Sequence, residues 1–310
     1  MAAPARAPAV PLKIVGRPDV MEVGPVLYAV RQAGPAVATY ASGSVDNLFK
    51  AEGEAPAGGF DHAPGRADLA AQAETQALRA SLANPDLRII LTITEGLYRI
   101  VARRSAGIAR IEDLRGKRIA VFERTSAAYF ADRMLAKAGI ATGEVVLVPM
   151  RPREMAPALT AHKIDAIAMW EPESERALVA LGDDAVTFSD PESYRELYNL
   201  NTTAQALADP TRRAQIVAFV RRLIAASRTA THEPAKIWPL LSTTSGYPVA
   251  LIGASWHHHR FPAALPDDML DVLVEEEKWL AAQAGRAARS RAKLAPLIDR
   301  SVLEEALRGR

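Results

Sequence analysis

Cysteine is absent from the 310-residue chain, which excludes disulfides, thiolate metal sites and cysteine nucleophiles and fits either the cytoplasm or a disulfide-free exported protein. Charge of one sign is missing too. With 38 basic against 36 acidic residues, the net charge is +2, and no strong field singles out nucleic acid or a membrane surface as partner. No stretch approaches the roughly 20 consecutive apolar residues a membrane span needs, so a soluble protein is expected. The start, Met1-Ala-Ala-Pro-Ala-Arg-Ala-Pro, has no basic segment followed by an apolar stretch, as an export signal would. Two readings stay open: a cytoplasmic protein, or an exported one whose signal was replaced by a starting Met. A nucleophile elbow of the G-x-S-x-G type, a Walker loop and a dinucleotide glycine fingerprint are all absent. What the chain does have is length and 49% hydrophobic residues, enough to bury a full core in one large or two medium domains.

The densest signal lies in residues 113–172. Arg118-Ile-Ala-Val121 reads as a short strand, with Phe122 to Ser126 as the loop after it and a helix from Ala127 to Ala138, stopped by Gly139. A second strand covers Glu144–Met150 and a second helix Arg153–Lys163. A third strand, Ile164–Trp170, leads through Glu171-Pro172 into another helix. Parallel strands joined by helices line up their carboxyl ends along one crevice, where open α/β sheets bind ligands.

The first third repeats the style. Strands are expected at Leu12–Gly16, Val37–Tyr40, Ala67–Ala71, Leu87–Ile93 and Leu97–Ala102, with helices at Val23–Gln32, Val45–Lys50 and Glu74–Ala83. Ala51–Gly65, rich in Gly, Ala, Pro and charge, reads as an exposed loop. Asp68-Leu-Ala-Ala-Gln-Ala-Glu74 and Asp165-Ala-Ile-Ala-Met-Trp-Glu171 share an outline, as two similar lobes aiming the same turn at a shared cleft would. After Phe188 the pattern becomes helical. Asp209-Pro210 caps a helix reaching about Ala230, with Ile216, Val217, Phe219, Val220, Leu223 and Ile224 on one face. This C-terminal third is expected to pack back on the first lobe.

Ile111-Glu-Asp-Leu-Arg-Gly-Lys-Arg-Ile-Ala-Val121, the Thr125-Ser126 turn, Lys163-Ile-Asp-Ala-Ile-Ala-Met-Trp-Glu-Pro172 and the tail Leu297–Ala306 resemble ABC-transporter substrate-binding proteins of the nitrate, sulfonate, taurine and thiamine-pyrimidine group. The resemblance implies a two-lobed α/β fold of the type II periplasmic-binding-protein kind, with a ligand cleft between the lobes and a helical C-terminal region. It implies lobes of residues 12–102 plus 202–310 and 103–201, closing on a ligand about a hinge. It also implies a small organic solute, an ABC permease as partner, a periplasmic or exported location, a monomer, and no need for a cofactor. The segment at Gly34-Pro35 is shorter than the family's usual one.

Candidate ligand contacts follow from the strand ends and helix starts that would face such a cleft. Thr125 and Ser126 begin a helix, whose free N–H groups favour an anion or carbonyl oxygen; Ser44 begins another, and capping alone would also explain all three. Trp170 is placed to wall the pocket by stacking, against the alternative of a core indole, and Glu171 either touches ligand or holds the turn. Gln72 and Glu74 occupy the matching exit in the first lobe, where a helix-start Glu is the bland explanation. Arg17 either clamps a carboxylate or sulfonate or pairs with Asp19, and Glu95 stands at a fourth strand exit. Several carboxylates with few bases would disfavour a bare anion and suit a ligand carrying hydroxyl, amine or ring N–H donors.

Two apparent motifs fail. Three consecutive residues, His257-His258-His259, rarely converge on one ion and read as surface or rim packing. The run Arg286, Arg289, Arg291 and Lys293 reads as a solvated face rather than a nucleic-acid site. The rival to a binding protein is an enzyme on the same scaffold. Aromatic-sulfinate desulfinases need a cysteine and the related pyrimidine synthases use Lys, His and a Cys-containing segment, so the missing cysteine argues against both; a ligand sensor for a signalling partner is a third reading.

Overall fold

A computed structural model describes residues 10–55, 63 and 65–308. The reading of the amino terminus as lacking an export signal, and part of the expected loop at 51–65, fall outside these residues. Eleven strands are described: β1 (Leu12–Gly16), β2 (Ala38–Ser42), β3 (Leu69–Ala73), β4 (Leu87–Gly96), β5 (Arg99–Arg103), β6 (Arg118–Val121), β7 (Val146–Pro149), β8 (Ala166–Met169), β9 (Ala185–Phe188), β10 (Glu196–Thr203) and β11 (His259–Arg260). They form two sheets, ordered β11-β4-β10-β3-β1-β2 and β7-β6-β8-β5-β9.

The two sheets are built to one plan. A parallel trio, β2-β1-β3 in the first and β7-β6-β8 in the second, is joined by helices, and one antiparallel strand is laid beside it. That added strand is β10 next to β3 in the first sheet and β5 next to β8 in the second. The short Asp-to-Glu repeat is the signature of this plan. Asp68 accepts the backbone N–H of Lys13 at 2.7 Å, and Asp165 accepts that of Arg118 at 2.9 Å, so each carboxylate ties its strand to the first residues of the neighbouring parallel strand. The carbonyls of the same two residues receive the added strand: Thr202 Oγ1 donates to Asp68 and the Arg103 N–H to Asp165.

The boundaries expected at 102/103 and 201/202 fall inside β5 and β10. The chain leaves the first sheet after Gly96 and returns at Glu196, because the strand on each side of a passage must pair along its whole length with the sheet it joins. Strand β10 itself, Glu-Leu-Tyr-Asn-Leu-Asn-Thr-Thr, was not expected: Asn and Glu are poor strand formers. Its two buried asparagines are each held by side-chain bonds, Asn201 donating to the Ala70 carbonyl at 3.0 Å and Asn199 accepting from Thr92 Oγ1 at 2.8 Å.

The helix Pro210–His232 buries Ile216, Val217, Phe219, Val220, Leu223 and Ile224, as its periodicity predicts, and packs on the helices Gly24–Ala33 and Ser301–Arg308. The C-terminal third therefore does fold back on the first sheet. The basic run there is only partly a solvated face. Arg286 and Arg289 converge on the buried carboxylate of Glu277, at 2.6 and 2.9 Å. Burial works against that charge, but the hydrogen bonds from the two guanidiniums hold Glu277 at about 2.

Asp165 carries the second lobe's version of the repeat and also binds the guanidiniums of Arg118 and Arg103, each at 2.9 Å. The hydrogen bonds from Arg118 lower it to about 2 despite partial burial. Because the folded value lies below the ordinary 3.8, this stabilisation is present above about pH 4 and disappears as pH falls toward 2. Asp165→Ala is expected to lower the unfolding free energy by about 3 kcal/mol at neutral pH. Urea denaturation followed by tryptophan fluorescence should show that loss shrinking steadily as the buffer is taken below pH 4.

Candidate functional site

A cavity of about 310 Å³ opens between the sheets. From the first lobe it is lined by Arg17 after β1, Glu22 in the turn Met21–Val23, Gln72 in β3, Gln76 and Arg79 in the helix Glu74–Ala80, and Glu196 and Tyr198 in β10. From the second come Phe122, Thr125 and Ser126 after β6, and Trp170 after β8. Five of the residues nominated from sequence therefore meet here: Arg17, Gln72, Thr125, Ser126 and Trp170.

Their local roles are mixed. Trp170 is 5% exposed, with Phe122 and Tyr98 as ring neighbours at 6.1 and 6.0 Å and the Arg17 guanidinium 5.5 Å from its ring centre. It is thus both core and wall. Arg17 spends its planar fork on Asp19, at 2.9 and 2.6 Å, which matches the second of the two roles allowed for it and leaves its charge neutralised inside the protein. Thr125 caps the helix Ser126–Lys137, accepting from the Ala127 N–H at 3.3 Å, while Ser126 Oγ lies 2.9 Å from the Tyr98 hydroxyl. Gln72 accepts the Val45 N–H at 2.7 Å.

The other four nominated residues lie elsewhere. Ser44 caps the single turn Val45–Leu48 and lines a neighbouring cavity of about 610 Å³. Glu95 pairs with Arg195 at 3.1 Å, away from the inner cavity. Glu74 is fully buried, accepting from the Leu197 N–H at 2.9 Å and the Tyr194 hydroxyl at 2.7 Å. Glu171 is also buried, accepting from Arg99 Nε at 2.8 Å and the Glu175 N–H at 3.0 Å. Glu171 thus sits in its turn, bound to Arg99 and Glu175, and Glu74 starts its helix bound to strand β10. Burial raises both above the ordinary carboxylate range.

The floor of the cavity was missed from sequence. In register across three strands stand His259 in β11, Gly96 in β4 and Glu196 in β10. Glu22 reaches the same spot, with Oε1 3.3 Å from His259 Nε2. Gly96 leaves room there: a Cβ would lie 2.9 Å from Glu196 Oε2 and 3.2 Å from Glu22 Oε1, so a larger residue would displace the two carboxyl groups. Burial raises Glu196 well above its ordinary range, and the nearby Glu22 and Glu74 carboxylates raise it further, which favours its protonated form. One oxygen each of Glu22 and Glu196 has no hydrogen-bond partner among the described residues. Two acid groups side by side, one of them biased by burial toward its protonated form, can together present a donor and an acceptor.

The signal that could have found Glu196 is the direction of its strand. A search of carboxyl ends alone overlooks an antiparallel strand, whose amino end lies at the same sheet edge as its neighbours' carboxyl ends. The histidines also depart from the rim reading, since His259 is buried in this floor and His258 is half-buried with Nε2 4.0 Å from Glu171. Burial and then Arg99 lower His258 to about 3, so it is neutral at physiological pH. Among the described residues no group of three His, Cys, Asp or Glu side chains is placed to hold a metal ion.

Several solved structures share the fold. The periplasmic aliphatic sulphonate binding protein SsuA of Escherichia coli superposes with a TM-score of 0.73 at 15% identity, over 92% of this chain and 91% of that one. The alkanesulfonate-binding protein SsuA of Xanthomonas axonopodis pv. citri, bound to MOPS, gives 0.65 at 20% identity, over 96% of this chain and 100% of that one. The enzyme DSZB in complex with biphenyl-2-sulfinic acid gives 0.66 at 14% identity, over 96% and 99%. These likenesses establish the two-lobed periplasmic-binding-protein fold expected from sequence. No curated protein sequence matches the chain. The family described as NMT1/THI5 like matches residues 61–237, more than half of the 310, and spans the β-α units and the inner cavity's second-lobe wall. The chain belongs to the NMT1/THI5-like family.

Proposed function

We propose that this protein is the solute-binding component of an ABC importer, capturing a small organic molecule between its two lobes by hinge closure and presenting it to a membrane permease. The observation that carries this reading is the inner cavity, lined from one side by Arg17, Gln72 and Glu196 and from the other by Phe122, Ser126 and Trp170. Neither lobe alone encloses it. The lobes divide at the passages 97–98 and 189–195, and the location is periplasmic or exported. The protein acts as a monomer without a cofactor. The likeness to SsuA proteins supports solute binding; the likeness to DSZB keeps catalysis as the rival, but a cysteine nucleophile is not available here.

The chemistry of the floor narrows the solute class among sulfonates, aromatic carboxylates and pyrimidine-like compounds. Arg17 is already paired, and the acids Glu22 and Glu196 face the cavity. A bare anion gains little there. A flat ring with adjacent donor and acceptor nitrogens would stack on Trp170 and meet the acid pair edge-on.

Two outcomes are expected. A thermal-shift screen of aminopyrimidines, amines, aromatic carboxylates and sulfonates should find compounds that raise Tm by mass action. Trp170→Ala should weaken the best of them about tenfold or more while the protein remains folded by circular dichroism. If no compound class raises Tm, the solute-binding reading is lost. Separately, Glu196 has a raised folded pKa, so its favourable contribution is fully present below its ordinary value of 4.5 and is lost as pH rises through the folded one. Glu196→Gln should therefore gain stability over the unmodified protein at pH 8 and show no gain at pH 4, measured by urea denaturation.

A further inference from the structure

The inner cavity does not end at its floor. It shares Gln72, Gln76, Arg79, Glu123 and Arg124 with the larger chamber of about 610 Å³, whose outer wall includes Ser44, Leu147 and Trp279. The two spaces meet at a single junction. There, Gln76 Nε2 and Arg79 Nη1, both on the first-lobe helix Glu74–Ala80, donate to the backbone carbonyl of Arg124 in the second lobe, at 3.1 and 2.9 Å. Arg124 has φ of +59°, a left-handed conformation that a residue with a Cβ seldom adopts, and this turn aims its carbonyl across the cleft.

The junction has an unbalanced electrostatic feature. Two arginines, one from each lobe, line both spaces here: Arg79 Nη1 donates to the Arg124 backbone carbonyl and, at 3.2 Å, to Gln76 Oε1, which leaves its other N–H groups for a ligand. The Arg124 side chain is exposed and makes no hydrogen bond or ion pair with the described residues. Burial and then Arg124's charge weaken the protonated form of Arg79, and Asp46 offsets part of this. Glu123 also lines the passage. Arginines from opposite lobes with free donors are the arrangement that a sulfonate, phosphate or carboxylate group bridges with charge-assisted hydrogen bonds.

We propose that Arg79 and Arg124 form an anion subsite at the neck between the two chambers, which takes the acidic group of an amphoteric solute whose donor-bearing end lies against Glu22 and Glu196. The inference rests on the solute-binding reading and adds to it the second chemical group and its place. Binding there neutralises the like charges that closure brings together, so the anion helps hold the lobes shut.

The test uses the full chain and inorganic sulfate as probe, titrated by calorimetry against chloride at constant ionic strength. Sulfate should bind the unmodified protein and raise its Tm. Arg124→Asn, which keeps a residue that tolerates the left-handed turn, and Arg79→Gln should each weaken sulfate about tenfold or more. Arg291→Gln removes a positive charge paired with Asp271 outside both cavities and should leave the affinity unchanged. A compound carrying both an amino and a sulfonate group should bind more tightly than the matching amine, and lose that advantage in Arg124→Asn. No response to sulfate, or an equal response in all four proteins, overturns the subsite. If amines or aminopyrimidines still bind and depend on Trp170, the solute-binding reading survives that failure. If nothing in the screen binds, both fall.

Discussion

Each lobe depends on a buried carboxylate at a strand-to-helix turn, Glu74 as the first residue of its helix and Glu171 two residues before the helix Glu173–Leu181, that reaches sideways to a strand at one of the two passages. Glu74 accepts the Leu197 N–H in β10, and Glu171 accepts the Arg99 side chain in β5. These are the strands on which the chain returns to the first sheet and enters the second. Removing such a group would leave a buried donor unpaired, which costs about 1–3 kcal/mol for a neutral N–H and more for a guanidinium. The same two turns fix the ends of β3 and β8, from which Gln72 and Trp170 project. The cleft walls and the passages between lobes are therefore positioned by one repeated interaction.

The parts of the fold that were legible in the sequence are those where local signals and tertiary pairing agree. The units at Arg118–Val121, Ser126–Lys137 and Ala166–Met169 combine small apolar strands, helix caps and glycine stops, and the structure adjusts their ends by only a residue or two. The Asp68 and Asp165 outline was also readable, although its cause, a carboxylate bound to the first N–H of the adjacent strand, is a long-range hydrogen bond with no local trace. Strand β10 was hidden for the opposite reason. Its Asn and Glu residues look unsuited to a sheet interior until Thr92, Ala70 and Tyr98 are placed around them.

For the site, residues placed by strand and helix ends were readable, whereas the partners of buried carboxylates were not. Trp170, Ser126 and Thr125 follow directly from strand and helix ends. Glu74, Glu95 and Glu171 stand at equally exposed-looking positions, yet each is taken up by a donor at least 72 residues away in the chain: Leu197, Arg195 and Arg99. Arg17 is the converse case, paired with Asp19 two residues on. Whether a carboxylate faces a ligand or a neighbouring strand is decided by pairing across the sheet, which spacing along one strand does not encode.

Tyr98 belongs to the two-residue passage between β4 and β5, yet its hydroxyl meets Ser126 and its ring touches Trp170, Phe130 and Tyr194. One side chain thus ties this passage to the rings and hydroxyl that line the pocket. Under the proposed closure, rotation of one half against the other would move that phenol against the aromatic lining, so torsion in the spine would be felt where a guest sits. Occupancy and aperture would then be geared together through a single ring.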